Sequence, residues 1–198
     1  MSTVKSKKLQ VGTDATSSNN FTIYQPATPD GTLRIGVGNA DSPTEVGRFD
    51  NNGYVATNAP AFSCIKSANQ SITTSTSTKI SFDTKEFDLT SDFDTSTYRF
   101  TPSIQGYYQF NLSVFMDCNN TQGMFRSELY KNGGLYKRTT MQADSTPQDL
   151  SASGSILAYA NGSTDYFEMY VYHNLGSTRS LYSNSTLTYF QGCLIRAT

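Results

Sequence analysis

Tryptophan is absent from this chain, histidine occurs once, and charged residues make up only 16% of its 198 residues, against roughly 25% in an ordinary soluble domain. Each shortage excludes something. With His173 as the single histidine, a histidine-built metal centre or a pair of acid–base imidazoles has no raw material. Cys64, Cys118 and Cys193 are odd in number, widely spaced and free of any Cys-x-x-Cys pair; neither a zinc site nor a closed disulfide framework follows, and free thiols fit a reducing compartment. No run approaches the roughly 18 apolar residues of a membrane-crossing helix, and residues 1–20 hold no apolar signal segment, so the expectation is a chain that folds where it is made, with no membrane partner. A net charge of -1 and a pI near 5.8 leave no electrostatic footprint for nucleic acid, which needs clustered cations to displace counterions. The one basic cluster, Lys5, Lys7 and Lys8, sits in a polar N-terminal arm.

What is abundant is aromatic: 13 tyrosines and 12 phenylalanines, a composition suited to strands and contact surfaces. The stretch from Arg99 to Met116 shows how they are used. Pro102 and Gly106 punctuate a turn, and Tyr108, Phe110, Leu112, Val114 and Met116 then alternate, the period of a strand with one buried face. Tyr107 and Phe115 bracket Gln109, Asn111 and Ser113 on the other face, which is therefore only partly intended for water.

Taken in order, residues 1–20 have the composition of a disordered segment and need a partner surface or a neighbouring subunit to be held. Short β segments follow at Phe21–Tyr24, Thr32–Val37, Glu45–Phe49 and Tyr54–Val55, with a hairpin signal at Asn52-Gly53. So few large apolar residues make an extended β arm, or a small subdomain that needs a neighbour, rather than an independent domain. Asn58-Ala-Pro60 is a joint, which places the arm at 1–60 and a second domain at 61–198. There the predicted strands, Ala61–Ser67, Lys79–Phe87, Tyr98–Thr101, Gly106–Asp117, Met124–Asn132, Leu135–Gln142, Gln148–Tyr159, Asp165–Asn174 and Thr186–Arg196, come at the spacing of a β-sandwich with no helical stretch.

Two resemblances add to this. Asp30-Gly-Thr-Leu-Arg-Ile and Arg48-Phe-Asp-Asn-Asn-Gly-Tyr-Val resemble N-terminal segments of structural proteins of tailed bacteriophages, especially those of cyanobacteria (cyanophages). Phe82, Asp88, Phe93, Phe100, Gly106, Tyr108 and Phe110, followed by Leu129-Tyr-Lys-Asn-Gly133, Ser151 to Leu157 and Phe190-x-Gly192, resemble the signature of the complement C1q globular head, a branch of the tumour-necrosis-factor-like (TNF-like) jelly rolls. That resemblance covers residues 61–198 and implies an all-β jelly-roll sandwich that forms homotrimers. Leu112 replaces a usual second aromatic, and no collagen-like Gly-x-y repeat precedes the head, so the animal extracellular roles of the family do not carry over.

The strand Tyr166-Phe-Glu-Met-Tyr-Val-Tyr172 puts Phe167, Met169 and Val171 on one face and Tyr166, Tyr170 and Tyr172 on the other. Both sides need cover. A trimer contact formed by these tyrosines with Tyr107, Phe115 and Tyr189 is one home; loops of the same subunit are the other. For docking on a particle, the arm offers Lys5, Lys7, Lys8, Phe21, Ile23, Leu33, Ile35 and Phe49.

Catalytic chemistry is thin. His173 has only Asp165 and Glu168 as acids near in sequence, no Gly-x-Ser-x-Gly elbow occurs, and a surface position at a strand end is expected for it. Asp83, Glu86, Asp88, Asp92 and Asp94 read as turn formers without the order of a calcium loop. The expectation is thus no enzyme, no metal and no cofactor: a trimeric virion protein of the capsid surface, assembled in the host cytoplasm, that decorates and cements a shell by binding the major capsid protein through its arm. The alternative is the receptor-binding knob of a short head or tail fibre, reading a host surface glycan through the loops Asp117–Gly123 and Leu175–Tyr182.

Overall fold

The computed structural model describes residues 8–16, 19–39, 41–51, 53–56, 59–139, 141–143 and 149–198. The chain divides into two compact units, Met1–Asn58 and Ala59–Thr198.

The first unit is an antiparallel meander of β1 (Lys8–Val11), β2 (Phe21–Tyr24), β3 (Leu33–Val37), β4 (Thr44–Asp50) and β5 (Gly53–Ala56), each strand paired with the next. The turns are made locally: Asp30 accepts hydrogen bonds from the Thr32 N–H (3.0 Å) and hydroxyl (2.6 Å) between β2 and β3, as short acidic side chains do in tight turns. Asn52, half of the expected hairpin signal, lies outside the described residues, while Gly53 has the positive φ of 119° that favours glycine. Residues 8–11 correct the expectation for the arm. They form a strand because Leu9 pairs with Ile23 and Val11 with Phe21 of the same chain. Lys5 and Lys7 lie outside the described residues.

The second unit is built from β6 (Ala61–Ile65), β7 (Gln70–Ile72), β8 (Thr78–Lys79), β9 (Thr84–Asp88), β10 (Phe93–Asp94), β11 (Arg99–Phe100), β12 (Gln105–Asp117), β13 (Gly123–Lys131), β14 (Gly134–Arg138), β15 (Met141–Ala143), β16 (Asp149–Asn161), β17 (Phe167–His173), β18 (Arg179–Leu181) and β19 (Tyr189–Ala197). It is a jelly-roll β-sandwich with, among the described residues, no α-helix. The first sheet runs β16-β12-β19-β6-β9, with β18 and β7 beside the far end of β12. The second runs β10-β11-β17-β13-β14, with β8 on β17 and β15 on β13.

The alternation in β12 holds as expected: Tyr108, Phe110, Leu112, Val114 and Met116 are buried between the sheets. Phe62 stacks on Phe100 at 4.2 Å, Phe110 packs on Phe167 at 4.5 Å, and the Tyr108 hydroxyl donates to the Ile104 carbonyl at 2.7 Å. Each ring removed from water this completely contributes about 1.5–3 kcal/mol. Two glycines are steric necessities. A Cβ on Gly192 would meet the rings of Phe62 (2.7 Å) and Phe110 (2.8 Å), and one on Gly106 would collide with the Arg196 carbonyl. Asp88 accepts the N–H groups of Asp92 (3.1 Å) and Phe93 (3.0 Å) and pairs with Lys85, closing the turn into β10.

The expected strand Lys79–Phe87 is broken. Its first residue, Lys79, joins the second sheet in β8 and its last residues join the first sheet in β9. Between them Ile80 and Phe82 are fully buried, and the Lys66 ammonium holds Ser81 through its carbonyl (3.0 Å) and hydroxyl (2.7 Å). The segment crosses from sheet to sheet because both apolar side chains fill the end of the sandwich. The expected strand 135–142 is likewise two, β14 and β15.

Candidate functional site

The period of two that buries one side of the first sheet also fixes its outer side. Cross-strand partners share a face, so Tyr107 of β12 lies beside Tyr159 of β16, Gln109 beside Leu157, and Asn111 beside Ser155. Further across the sheet, Gln109 neighbours Cys193 of β19, and Asn111 neighbours Gln191. Beyond those, Cys193 pairs with Ala61 and Gln191 with Ser63 of β6, and Ser63 pairs with Phe87 of β9. Tyr107, Leu157, Tyr159, Ile195, Phe87 and Leu89 are all exposed, Leu157 by 58% and Leu89 by 70%. The polar side chains between them bond among themselves: Gln109 to the Ser155 hydroxyl at 2.9 Å, Gln191 to the Ser63 hydroxyl at 3.0 Å, and Ser63 to Glu86 at 2.6 Å. The result is a face of apolar and mostly neutral polar groups, with Arg196 and Glu86 at its margins. A face of this kind is suited to contact rather than to solvent.

The tyrosines of β17 are elsewhere. The outer side of the second sheet is a lattice of aromatics and charges supplied by the same subunit. Tyr170 stacks on Tyr130 at 3.9 Å, the Arg99 guanidinium lies 4.2 Å over Tyr166, and that of Arg126 lies 5.0 Å over Tyr172. Glu168, 1% exposed, accepts from Arg99 at 2.7 Å and Lys79 at 2.9 Å. Burial opposes its charge, but those two cations prevail and its pKa is lowered. Of the six residues expected at one contact, then, Tyr107, Phe115 and Tyr189 belong to the first sheet, and Tyr166, Tyr170 and Tyr172 to the opposite one. Phe115 packs on Tyr182 at 5.3 Å. Leu157, Tyr159 and Ile195, missed in the sequence, complete the first face.

His173 corrects another expectation. It is fully buried, not at the surface. Its Nε2 meets the Ile72 carbonyl at 3.0 Å while its Nδ1 accepts from the Leu175 N–H at 3.3 Å, the pattern of a neutral ring with its proton on Nε2. Burial lowers its pKa below the ordinary 6.5. Neither nearby acid serves it: Glu168 holds Arg99 and Lys79, and Asp165 holds Lys131 at 2.8 Å and Asn132 at 2.7 Å.

The acidic run is taken up in hydrogen bonds, some within turns and some to other segments. Asp83 binds the Ser67 N–H and hydroxyl, Asp92 binds Ser103 and Thr90, and Asp94 binds Ser96 and Thr97. Among the described residues, no group of three or more His, Cys, Asp or Glu is placed to hold a metal ion. Burial pushes the Cys64 thiol up to about 12 and the Cys118 thiol up to about 11, while Cys193 is exposed on the outer face of the first sheet.

At the end of the head, the Arg179 guanidinium donates to the Thr121 hydroxyl at 2.6 Å, tying together the two loops expected to read a glycan. Asn69, Phe115, Asp149, Tyr182, Ser183 and Asn184 line a shallow cleft on the head. In the first unit, the register puts Phe21, Ile23, Leu33, Ile35 and Phe49 on one side of the sheet and Lys8 on the other.

Residues 61–195 match the model of the C1q domain. None of the curated proteins matches the chain in sequence. Among solved structures, murine APRIL at pH 5.0 superposes with a TM-score of 0.55 at 8% identity, over 69% of this chain and 99% of that one. The Eiger TNF of S. frugiperda gives 0.53 at 10% identity, over 71% and 93%. PRD1 vertex protein P5 gives 0.50 at 14% identity, over 71% and 98%.

Proposed function

The chain belongs to the C1q-domain family through residues 61–195, and from that premise we propose that it is a non-enzymatic, homotrimeric virion protein that decorates and cements a capsid, its heads joined through the outer face of the first sheet. Domains of this family are structural or ligand-binding modules, and C1q- and TNF-like domains assemble as homotrimers. The observation that carries the reading is the apolar face of Tyr107, Leu157, Tyr159 and Ile195, set against a second sheet whose outer side is closed by its own ion pairs. A trimer over a local three-fold of a shell would attach by three N-terminal units at once and gain avidity from all three. The phage-like segments at 30–35 and 48–55 support the virion setting, and the fold shared with PRD1 vertex protein P5 is compatible with it.

Copy number tests this. In particles purified from the infected culture that makes this chain, quantitative mass spectrometry should find it in numbers comparable to the major shell protein, with labelled antibody over the whole shell. A few trimers at a vertex or a fibre tip would move the assignment to the second reading, a receptor-binding knob. One feature favours that reading specifically: the cleft flanked by the Phe115–Tyr182 pair, Asp149 and Asn184, which offers aromatic faces beside hydrogen-bonding groups, as a sugar requires.

A further inference from the structure

The five-stranded sheet of the first unit is sorted by side. Leu9, Ile23 and Ile35 make one cross-strand row and Val11, Phe21 and Val37 the next, all on one face, which Leu33 extends. Leu9 is 59% exposed, Val11 57% and Leu33 48%. The other face is treated differently. It carries Arg34 bound to Asp30 and Glu45, and Arg48 bound to Glu45. It is also covered by the chain's own loop, with the Pro43 side chain lying directly over Gly36. A single antiparallel layer needs a second layer on its apolar side to be stable. The polar side has been given its cover locally, and the apolar side is turned outward.

We infer that this apolar face is the inside of a three-chain assembly, in which three copies of the sheet, one from each subunit, close their apolar faces on one another. The inference rests on the trimer proposed above. Two observations select this occupant. The six residues of the two rows carry no charge, so the face is self-complementary and offers nothing for a charged partner to pair with. Only residues 57–60 separate β5 from β6, so joined heads tether three identical sheets on four-residue connections, a regime of millimolar effective concentration. Three faces meeting around a three-fold leave no apolar side uncovered and close the assembly. Attachment to a shell then falls to the opposite face, with Lys8, Arg34 and Arg48, rather than to Phe21, Ile23 and Leu33.

Alkylation of single cysteines in the full chain tests this. In a Cys193→Ser background, where the two remaining thiols are buried, Ile23→Cys and Leu33→Cys place a thiol on the apolar face, and Gln10→Cys places one on the opposite face. Sedimentation equilibrium on the same samples reports the mass. The expected result is a trimer in which the thiols at 23 and 33 react at least about tenfold more slowly than in urea, while that at 10 reacts freely. A trimer in which all three react freely overturns this inference and leaves the trimer standing. A monomer overturns the trimer itself, and the inference with it. Slow reaction that persists in a Leu157→Asp variant that sediments as a monomer overturns it too, since a cover supplied within one chain needs no other copy.

Discussion

Tyr107 of β12 and Tyr159 of β16 meet edge to face across the strand pair, ring centroids 5.6 Å apart, on the side of the first sheet turned away from the core. An aromatic pair left at a surface beside Leu157 and Ile195 is a natural anchor for a contact.

A charge placed there should separate the heads. Leu157→Asp, at a position 58% exposed, should leave the fold intact and yield monomers by sedimentation equilibrium at micromolar concentration. Tyr170→Asp on the opposite sheet should remain trimeric and lose stability instead, about 1–3 kcal/mol, because the change removes the stack on Tyr130 and sets a carboxylate beside Glu128 and Glu168. Monomers from Tyr170→Asp would assign the contact to the wrong sheet.

Cys193 provides a label-free readout. It sits between Gln109 and Ala61 on the proposed contact face, whereas Cys64 and Cys118 are buried with raised pKa values. In the native trimer no thiol should react promptly with a disulfide reagent at neutral pH. One per chain should react in Leu157→Asp. Prompt reaction of Cys193 in an intact trimer would show that its face stays open.

The single histidine sets a pH dependence. Burial holds the His173 ring below 6.5 in the folded chain, so at falling pH the unfolded chain takes up a proton first. Its contribution is therefore complete above pH 6.5 and is lost as the pH drops below that value. Glu168 acts lower: with its pKa held under 4.5, its contribution is complete above 4.5 and fades as the pH falls below. Urea midpoints should decline in two steps, and His173→Gln should remove the upper one. An upper step that survives in His173→Gln would reject the assignment.

Gly192→Ala should destabilise the head by about 1–3 kcal/mol, the range for forcing atoms into a filled core, since the added methyl would enter the space held by Phe62 and Phe110. Denaturant unfolding measures it. A neutral result would mean that the two rings move apart without penalty.

The sandwich was legible because its signature residues are themselves the physics: Tyr108 and Phe110 alternate, Gly106 and Gly192 stand where strands or rings approach too closely for a side chain, and Asp88 closes a turn. The proposed contact face was only half legible. Alternation separates Tyr166, Tyr170 and Tyr172 from Phe167, Met169 and Val171, but it carries no information on what lies over either row, and Arg99 arrives from 67 positions away in the chain to cover Tyr166. Leu157 and Tyr159 do carry a signal: they alternate with Ile156, Ala158 and Ala160, an unbroken apolar run in which both faces call for cover. His173 ends a strand, as expected, but that end is capped by Ile72 and Leu175, contacts that no local pattern encodes. The short strands β7, β10 and β18 offer two or three residues each, too few for a period to show.

The position of β19 has a consequence for how the molecule is made. Its residues lie between β6 and β12, with Phe190 paired to Cys64 on one side and to Leu112 on the other, so the middle of the first sheet is filled by the strand of the head that comes last in chain order. The meander pairs only neighbours in sequence, while the head must wait for residue 197 before its sheet is continuous. Until then β6 and β12 present open edges to every other nascent chain, and the step that closes those edges also completes the face proposed above as the subunit contact. On that proposal, folding of the head and recruitment of its partners coincide in a single late event.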